Sequence, residues 1–105
     1  MPKFEPVLLA RIEKPESEAL AGYRADGGYE GLKKALAMEP DAVTTMVKDA
    51  GLRGRGGAGF SAGLKWTFLP KNHPGPIYLC INADESEPGT FNNRILMELD
   101  PHQLI

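Results

Sequence analysis

Apolar positions recur at helical spacing in the first half of the chain. Over residues 29–38 the apolar side chains share one face while two lysines point outward, which predicts a short amphipathic helix. The apolar positions of this face are Leu32, Ala35 and Leu36. Residues 6–12 are largely apolar and a polar, glycine-containing stretch follows them, so residues 1–30 are predicted to form an extended arm and linker.

Two further helices are predicted on either side of a glycine-rich segment. The first covers residues 41–50, because Pro40 suits the first turn of a helix and Gly51 is placed for a left-handed C-terminal cap. Its buried stripe consists of Ala42, Val43, Met46, Val47 and Ala50. The second covers residues 62–69, so the glycine-rich segment lies between two helices.

A continuous apolar run predicts one strand. Residues 77–81 include β-branched and aromatic side chains, which favours a buried strand of a parallel or mixed sheet. Residues 71–76 contain two prolines and a glycine and predict a turn before it. The polar segment 82–89 begins where the carboxyl end of the strand would lie, the position at which ligands bind in open α/β sheets. The predicted fold class is therefore α/β, with helices around a short buried strand.

Two helices are predicted after this segment. Thr90 is placed as the N-cap of a helix over residues 91–99, and Asp100 as the N-cap of another that begins at Pro101. Gln103, three residues after Asp100, comes close to completing a capping box. The sequence ends about one turn into this last helix, and a helix of that length is not stable alone. We therefore expect the chain to be incomplete.

Composition and charge narrow the functional classes. The chain has 105 residues, of which 42% are hydrophobic and 25% charged, values typical of one globular domain with a modest core. A net charge of -2 without a basic field argues against nucleic acid as a partner. The apolar runs are too short to cross a bilayer, and the first residues lack the apolar core of a signal peptide. A cytoplasmic protein without direct membrane insertion is expected.

The cysteine and the histidines are predicted to carry no chemistry. Cys80 is the single cysteine, so it cannot form an internal disulfide or hold an iron-sulfur cluster alone, and its apolar neighbours predict a buried, inert thiol. His73 and His102 have no ligand-like partners at useful spacing and are predicted to be surface residues. The sequence offers no metal ligands and no catalytic side chain.

Residues 54–63, the glycine loop, contain five glycines in ten positions. Gly54, Gly56 and Gly59 satisfy G-x-G-x-x-G, but a Rossmann turn requires a preceding strand, and here a helix precedes. Consecutive backbone N–H groups and the N-terminus of the next helix still favour an anion such as phosphate. Positive charge is added by Arg53, Arg55 and Lys65. The alternatives are a flexible surface turn and an RNA-contacting Arg-Gly-Gly element.

Aromatic and acidic side chains supply further candidate contacts. Phe60, Trp66 and Phe68 lie within nine residues; aromatics at this density are usually core, although one ring could face a purine or a flavin. The segment 82–89, the acidic loop, carries Asn82, Asp84, Glu85 and Glu87. These residues lack the spacing of a calcium loop, but their oxygens could accept hydrogen bonds from ribose hydroxyls or ring N–H groups. A solvated run of charge is the alternative.

The motifs resemble one known family. They are Gly51-Leu-Arg-Gly-Arg-Gly-Gly-Ala-Gly-Phe60, Gly63-Leu-Lys-Trp66, Asn82-Ala-Asp-Glu85, Glu87-Pro-Gly-Thr90, Arg94 and Pro101-His102. From Gly31 onward the chain resembles the NADH-binding flavoprotein subunit of respiratory complex I and related diaphorase subunits; residues 1–30 match only loosely. Asn92-Asn93 stands where the family usually has Lys-Asp. The resemblance implies that residues 31–105 are the truncated amino-terminal part of an FMN- and NADH-binding domain.

The resemblance also implies residue roles. The glycine loop with Lys65 would hold the phosphate region of FMN, and the acidic loop would lie along the flavin and its ribityl chain. Phe60 and Phe68 match positions that contact the adenine of NADH, and Glu87 matches an acidic position near the dinucleotide. The implied cofactor-binding residues are Gly54, Arg55, Gly56, Gly57, Ala58, Gly59, Phe60, Ser61, Ala62, Gly63, Lys65, Phe68, Asn82, Asp84, Glu85 and Glu87.

An activity and partners follow from the same resemblance. Hydride would pass from NADH to FMN, and electrons would then leave to a [4Fe-4S] cluster that has no ligands in this chain. The implied partners are the rest of the flavoprotein subunit and a thioredoxin-like [2Fe-2S] subunit of a quinone-reducing complex, peripheral to the inner membrane. The chain alone is expected to be inactive. The alternatives are a diaphorase fragment of an NAD-dependent hydrogenase or formate dehydrogenase, and a non-enzymatic nucleotide- or anion-binding module.

Overall fold

The computed structural model describes residues 4–105, which form six helices and no strand. The helices are α1 (Leu20–Ala25), α2 (Glu30–Leu36), α3 (Pro40–Asp49), α4 (Ala62–Trp66), α5 (Asn92–Leu99) and α6 (Pro101–Leu104). The chain divides into two compact units. One is continuous in sequence and comprises Gly31–Leu79; the other combines the residues up to Glu30 with Cys80–Ile105.

The continuous unit is built around α3 and α4. As predicted, α3 has Pro40 in its first turn, and Gly51 beyond its end adopts a left-handed conformation with φ of 71°. The amphipathic helix predicted for residues 29–38 is also confirmed as α2. Gly63 in α4 is buried where the two helices meet; a Cβ built there would lie 2.3 Å from the backbone nitrogen of Lys48. Glycine therefore sets the close approach of α4 to α3.

Helix α4 is shorter than predicted. It ends at Trp66, and residues 67–69 continue as turns, with the N–H of Phe68 donating to the carbonyl of Lys65 at 3.1 Å. Pro70 follows directly, and a residue before proline is disfavoured in the helical conformation. The helix therefore stops short of residue 69.

The predicted strand over residues 77–81 is wrong, and with it the α/β class. This segment is irregular, and all its side chains are exposed, from 58% for Ile81 to 89% for Leu79. A strand needs a neighbour to satisfy its N–H and C=O groups, and residues 4–105 contain no strand to pair with. Cys80 in this run is likewise exposed, contrary to the buried thiol expected.

The discontinuous unit joins the first part of the chain to residues 99–103. Turns occupy residues 8–18 and α1 follows, whereas the sequence suggested an extended arm. Ser17 is buried and its hydroxyl donates to the carbonyl of Leu99 at 2.5 Å, while Gln103 Nε2 donates to the carbonyl of Leu8 at 2.7 Å. These contacts fold the first part of the chain against α5 and α6.

An ionic cluster lies within the first part of the chain. Arg11 Nη1 and Lys14 Nζ both pair with the carboxylate of Asp26, the lysine at 2.8 Å. The hydrogen bond from Lys14, followed by the charges of Lys14 and Arg11, holds the pKa of Asp26 below its ordinary value of 3.8. The ionised carboxylate of Asp26 therefore contributes to folding stability at pH values above its ordinary pKa. This contribution is lost as the pH falls through the lowered pKa.

Arg11 also approaches the fully buried Asp100. Its Nε lies 3.3 Å from both carboxylate oxygens but makes a hydrogen bond only to Oδ1. Oδ2 is buried and has no hydrogen-bond partner in the described part of the chain. The guanidinium carbon also lies 5.0 Å from the centre of the Tyr23 ring, so one arginine contacts a buried carboxylate and an aromatic face.

Three predictions for this unit need correction. Thr90 does not cap α5: its hydroxyl donates to the carbonyl of Glu87 at 2.6 Å. Asp100 does precede α6, but its side chain makes no capping bond, and Gln103 turns to Leu8 instead of completing a capping box. His102 is half-buried and bonded through Nδ1 to the Tyr29 hydroxyl at 2.8 Å, because an aromatic cluster with Tyr23 encloses it.

Candidate functional site

Two backbone hydrogen bonds close the base of the glycine loop. The N–H of Gly54 donates to the carbonyl of Phe60 at 2.8 Å, and that of Ala62 donates to Leu52 at 2.9 Å. Arg53 and Ser61 form an antiparallel bridge between these bonds. The two ends of the loop are therefore held side by side, and residues 55–59 project from them.

The projecting part of the loop presents free backbone donors. Within residues 4–105, the N–H groups of residues 55–59 donate to no protein acceptor. Gly57 and Gly59 have φ of 95° and 60°, which a side chain would strain. A Cβ added at Gly56, Gly57 or Gly59 would meet no atom within 4 Å. The space beside the Cα atoms of these glycines is thus open, which lets a ligand approach the backbone of the loop closely.

Side chains supply the formal positive charge near the glycine loop, and the N-terminus of helix α4 adds little positive potential. Helix α4 has five residues, and the Oγ of Ser61 already accepts from the N–H of Leu64 at 3.3 Å. The expected contribution of a helix N-terminus is therefore small. Lys65 in the last turn of α4 is exposed, as are Arg53 and Arg55. The capping role of Ser61 was missed in the sequence, although serine directly before a helix is a recognised signal.

The aromatic side chains in the glycine loop and just after it are exposed and are not part of a core. Phe60 and Phe68 face each other with ring centroids 6.1 Å apart and an angle of 54° between the planes. Their exposed fractions are 47% and 65%, and that of Trp66 is 45%. The pair of phenylalanines therefore gives an open aromatic surface that begins within the glycine loop.

The acidic loop has a hydrogen-bonded frame of its own. Asn82 Oδ1 accepts from the N–H of Asp84 at 2.9 Å, and Asp84 Oδ2 accepts from Ser86 Oγ at 2.6 Å. At its tip, the N–H of Thr90 donates to the carbonyl of Glu87 at 3.2 Å, and Gly89 takes the left-handed conformation that closes the turn. The loop therefore has local hydrogen bonds, while the side chains of Asn82, Asp84 and Glu87 remain exposed to solvent.

Glu85 is engaged with the helix that follows the loop. Its Oε1 accepts from the N–H of Asn93 at 2.8 Å, and its Oε2 accepts from the N–H of Arg94 at 3.0 Å. Glu87, by contrast, is exposed, and its carboxylate makes no hydrogen bond or ion pair within residues 4–105. Two glutamates two residues apart therefore have different surroundings.

The two candidate segments belong to different units. The glycine loop, Lys65 and Phe68 lie in Gly31–Leu79, and the acidic loop lies in the unit that contains Cys80–Ile105. Within each unit, the structure brings the sequence-predicted residues together on one loop or on its immediate neighbours.

The continuous unit has two open grooves. The larger, of 540 Å³, runs along α3 and is lined by Asp41, Ala42, Thr45, Met46 and Asp49. The other has a volume of 380 Å³ and is lined by Pro40, Asp41, Thr44, Thr45, Trp66 and Lys71, among others. None of the residues lining either groove was predicted to bind a cofactor. In the other unit, Asn82 lines a cavity of 30 Å³, enough for about one water molecule but not for a flavin.

Two features are absent from the described residues, namely a cluster of metal ligands and a membrane-spanning helix. Among residues 4–105, no three His, Cys, Asp or Glu side chains are grouped so as to hold a metal ion. Across the same residues, no helix combines the length and apolar character needed to cross a bilayer.

A protein-family model matches residues 47–105. Its description is the Nuo51 FMN-binding domain. The matched range contains the glycine loop, Lys65, Phe68 and the acidic loop.

Curated relatives match nearly the whole chain, and each is a subunit of an NADH-quinone oxidoreductase. The relative from Rhizobium meliloti is 57% identical over 103 residues, which is 97% of this chain and 24% of that protein. The relative from Streptomyces coelicolor is 55% identical, covering 95% of this chain and 22% of its own length. The one from Aquifex aeolicus is 54% identical, with coverage of 94% and 23%. The chain thus spans about a quarter of the length of these relatives.

Proposed function

The chain belongs to the Nuo51 FMN-binding domain family, and on that premise we propose that it forms part of the FMN and NADH site of an NADH-quinone oxidoreductase. The relatives in Rhizobium meliloti and Streptomyces coelicolor are named as subunits of that enzyme. Because the chain spans about a quarter of their length, the activity is proposed for the longer protein, with this chain supplying some of the binding residues.

The free amides of the glycine loop are the observation that carries this proposal. The N–H groups of residues 55–59 have no protein acceptor within residues 4–105, and open space lies beside Gly57 and Gly59. Phosphate oxygens are strong acceptors that match such a row of donors. Lys65, exposed on the adjoining helix, would pair with the same phosphate as a point charge. The residues present therefore fit the phosphate end of FMN.

The aromatic pair and the acidic loop would bind the remaining parts of the ligands. Phe60 and Phe68 present exposed ring faces suited to stacking on an adenine. Asn82 and Asp84 would lie along the flavin and its ribityl chain, and Glu87 would lie near the dinucleotide. Glu85 is a separate case, because both its oxygens already accept bonds from α5.

The chemistry itself belongs to the cofactor. Bound FMN would supply hydride acceptance from NADH and release of single electrons, and we propose that the acceptor would be a [4Fe-4S] cluster outside this chain. The residues of this chain bind and orient the two ligands. The partners we propose are the rest of the flavoprotein subunit, a thioredoxin-like [2Fe-2S] subunit and the other proteins of a complex I-type assembly on the cytoplasmic side of the inner membrane.

The test of this function removes the proposed phosphate charge. The present sequence replaces the matching quarter of the Rhizobium meliloti relative, and FMN affinity of this hybrid protein is measured by quenching of flavin fluorescence. Lys65→Ala is expected to weaken FMN binding by about 10-fold, since a hydrogen bond to a charged group is lost. Lys34→Ala, at an exposed lysine of α2 in the same unit, is the matched control and should leave the affinity unchanged.

Two results would count against the proposal. Equal FMN affinity in the Lys65→Ala and unsubstituted hybrids would remove the role given to Lys65. Binding of inorganic phosphate without any binding of FMN would favour a simple anion-binding module instead.

A further inference from the structure

We propose that Glu85 is a positioning residue, which fastens the acidic loop to the first turn of α5 and leaves Glu87 as the carboxylate that faces the ligand. This inference rests on the proposed function, because it divides the roles within the same site. It differs from the expectation drawn from the family resemblance, in which Glu85 itself lies along the flavin.

The contacts of Glu85 engage both oxygens of its carboxylate. Oε1 accepts from the N–H of Asn93 at 2.8 Å and Oε2 from the N–H of Arg94 at 3.0 Å, both within the usual range for charge-assisted bonds. The side chain of Arg94 is directed elsewhere, since its Nε pairs with Glu98 at 2.9 Å. Glu85 therefore binds the backbone of α5, and the guanidinium of Arg94 takes no part.

Helix α5 has no other side-chain cap. The first N–H groups of a helix lack intrahelical acceptors, and a short polar side chain at the N-cap usually satisfies one of them. Here Phe91 occupies the N-cap and has no acceptor in its side chain, while Thr90 is turned to the carbonyl of Glu87. Glu85 supplies acceptors for two of these N–H groups, those of Asn93 and Arg94, and its negative charge suits the positive end of the helix.

The two bonds from Glu85 to the backbone of α5 fix the shape of the chain between Glu85 and Asn93. Glu85 and Asn93 are eight residues apart in sequence and are joined directly by the first of these bonds. Between them, the turn at residues 87–90 holds the tip. The acidic loop is thus held at two places. The carboxylate of Glu85 binds the backbone of α5, and the N–H of Thr90 donates to the carbonyl of Glu87.

The other acidic side chains of the loop differ in their freedom to bind a ligand. Asp84 already accepts from Ser86, and Asn82 accepts from the backbone of Asp84. The carboxylate of Glu87 is exposed and has no hydrogen bond or ion pair in the described part of the chain. Of the three carboxylates, Glu87 therefore has its full acceptor capacity available for a ribose hydroxyl or a ring N–H.

A pair of isosteric variants separates the two roles in the hybrid protein described above. Glu85→Gln keeps the shape but has one acceptor oxygen, so hydrogen exchange at Asn93 and Arg94 should accelerate by at least about 10-fold, as for a lost charge-assisted bond. FMN affinity should fall, and the visible absorption band of the bound flavin should shift. Glu87→Gln should leave this exchange unchanged and raise the KM for NADH. Unchanged exchange at α3 in both variants verifies that the fold is intact.

A double-mutant cycle tests whether Glu85 acts through α5. Asn93→Pro removes the N–H that Oε1 accepts, and proline is tolerated in the first turn of a helix. If Glu85 works through this bond, adding Asn93→Pro to Glu85→Gln should change FMN affinity by less than about 2-fold beyond the larger single effect. Asn93→Ala keeps the N–H and is the control, expected to behave as the unsubstituted protein.

The outcomes distinguish this inference from the proposed function. Additive effects of the two changes, or normal exchange at Asn93 and Arg94 in Glu85→Gln, would overturn the positioning role and restore direct contact with the ligand. Failure of the unsubstituted hybrid to bind FMN would overturn the proposed function and the positioning role with it.

Discussion

At the scale of single residues, Gly63 determines how two helices meet. It is buried within α4, and a Cβ at this position would lie 2.3 Å from Lys48 N and 2.4 Å from Lys48 Cα. Backbone atoms cannot rotate away as the end of a flexible side chain can. Position 63 therefore requires glycine because no space is left for a side chain. Gly57 in the nearby loop is different, because its left-handed backbone conformation is what favours glycine.

Gly63→Ala is predicted to separate α4 from α3. Overpacking of this kind costs about 1–3 kcal/mol, so hydrogen exchange at the end of α3 and in α4 should accelerate in the hybrid protein by about 5-fold or more. Gly56→Ala is the matched control, because a Cβ at Gly56 meets no atom within 4 Å. Equal exchange in the two variants would show that the interface adjusts to a methyl group without cost.

At the scale of elements, the sequence predicted most of the helices, whose bonds are local, but it missed the short α1 and failed for the strand, which depends on distant partners. Helices α2 and α3 make their own hydrogen bonds, and Pro40 and Gly51 mark the ends of α3. A strand has no such independence, so the apolar run at residues 77–81 gave a wrong prediction. The site shows the same division: the motifs selected Glu85, but its bonds to α5 depend on a loop path that spacing does not reveal.

Residues 77–81 are predicted to exchange their amide hydrogens freely in the isolated chain. No backbone acceptor within residues 4–105 is bonded to them, so protection factors near one are expected, against clear protection in α3. Hydrogen exchange read by NMR tests this directly. Slow exchange across the run would mean that it pairs with a neighbour, such as a second copy of the chain.

At the scale of the whole molecule, residues 4–105 lack a sealed hydrophobic core. No hydrophobic side chain in this range is buried, and the large side chain that is fully enclosed is the charged Asp100. Large apolar side chains are exposed in both units, for example Phe4 at 87% and Leu36 at 78%. Burial of apolar surface is the dominant favourable contribution to folding, so little of that free energy is realised by this chain alone.

The isolated chain is therefore predicted to lack a cooperative thermal transition. A 105-residue domain with a sealed core should absorb about 70 kcal/mol at its melting temperature, as seen by calorimetry. For this chain we expect a broad, weak signal, strong binding of the dye ANS to exposed apolar surface, and no retention of FMN. A sharp transition of full enthalpy, or a stable yellow protein, would refute this view of the molecule.

The discontinuous unit has a consequence for the order in which the protein acquires its structure during synthesis. Its first part contacts residues that are made much later: Arg11 and Asp100 are 89 positions apart, and Leu8 and Gln103 are 95 apart. At about 5–20 residues per second, a ribosome needs roughly 5–20 s between these partners. During that interval Gly31–Leu79 can form its own contacts, whereas the bonds from Arg11 to Asp100 and from Ser17 to Leu99 must wait for their second partner. The first part of the chain is therefore synthesised early, but its contacts with residues 99–103 are among the last to form.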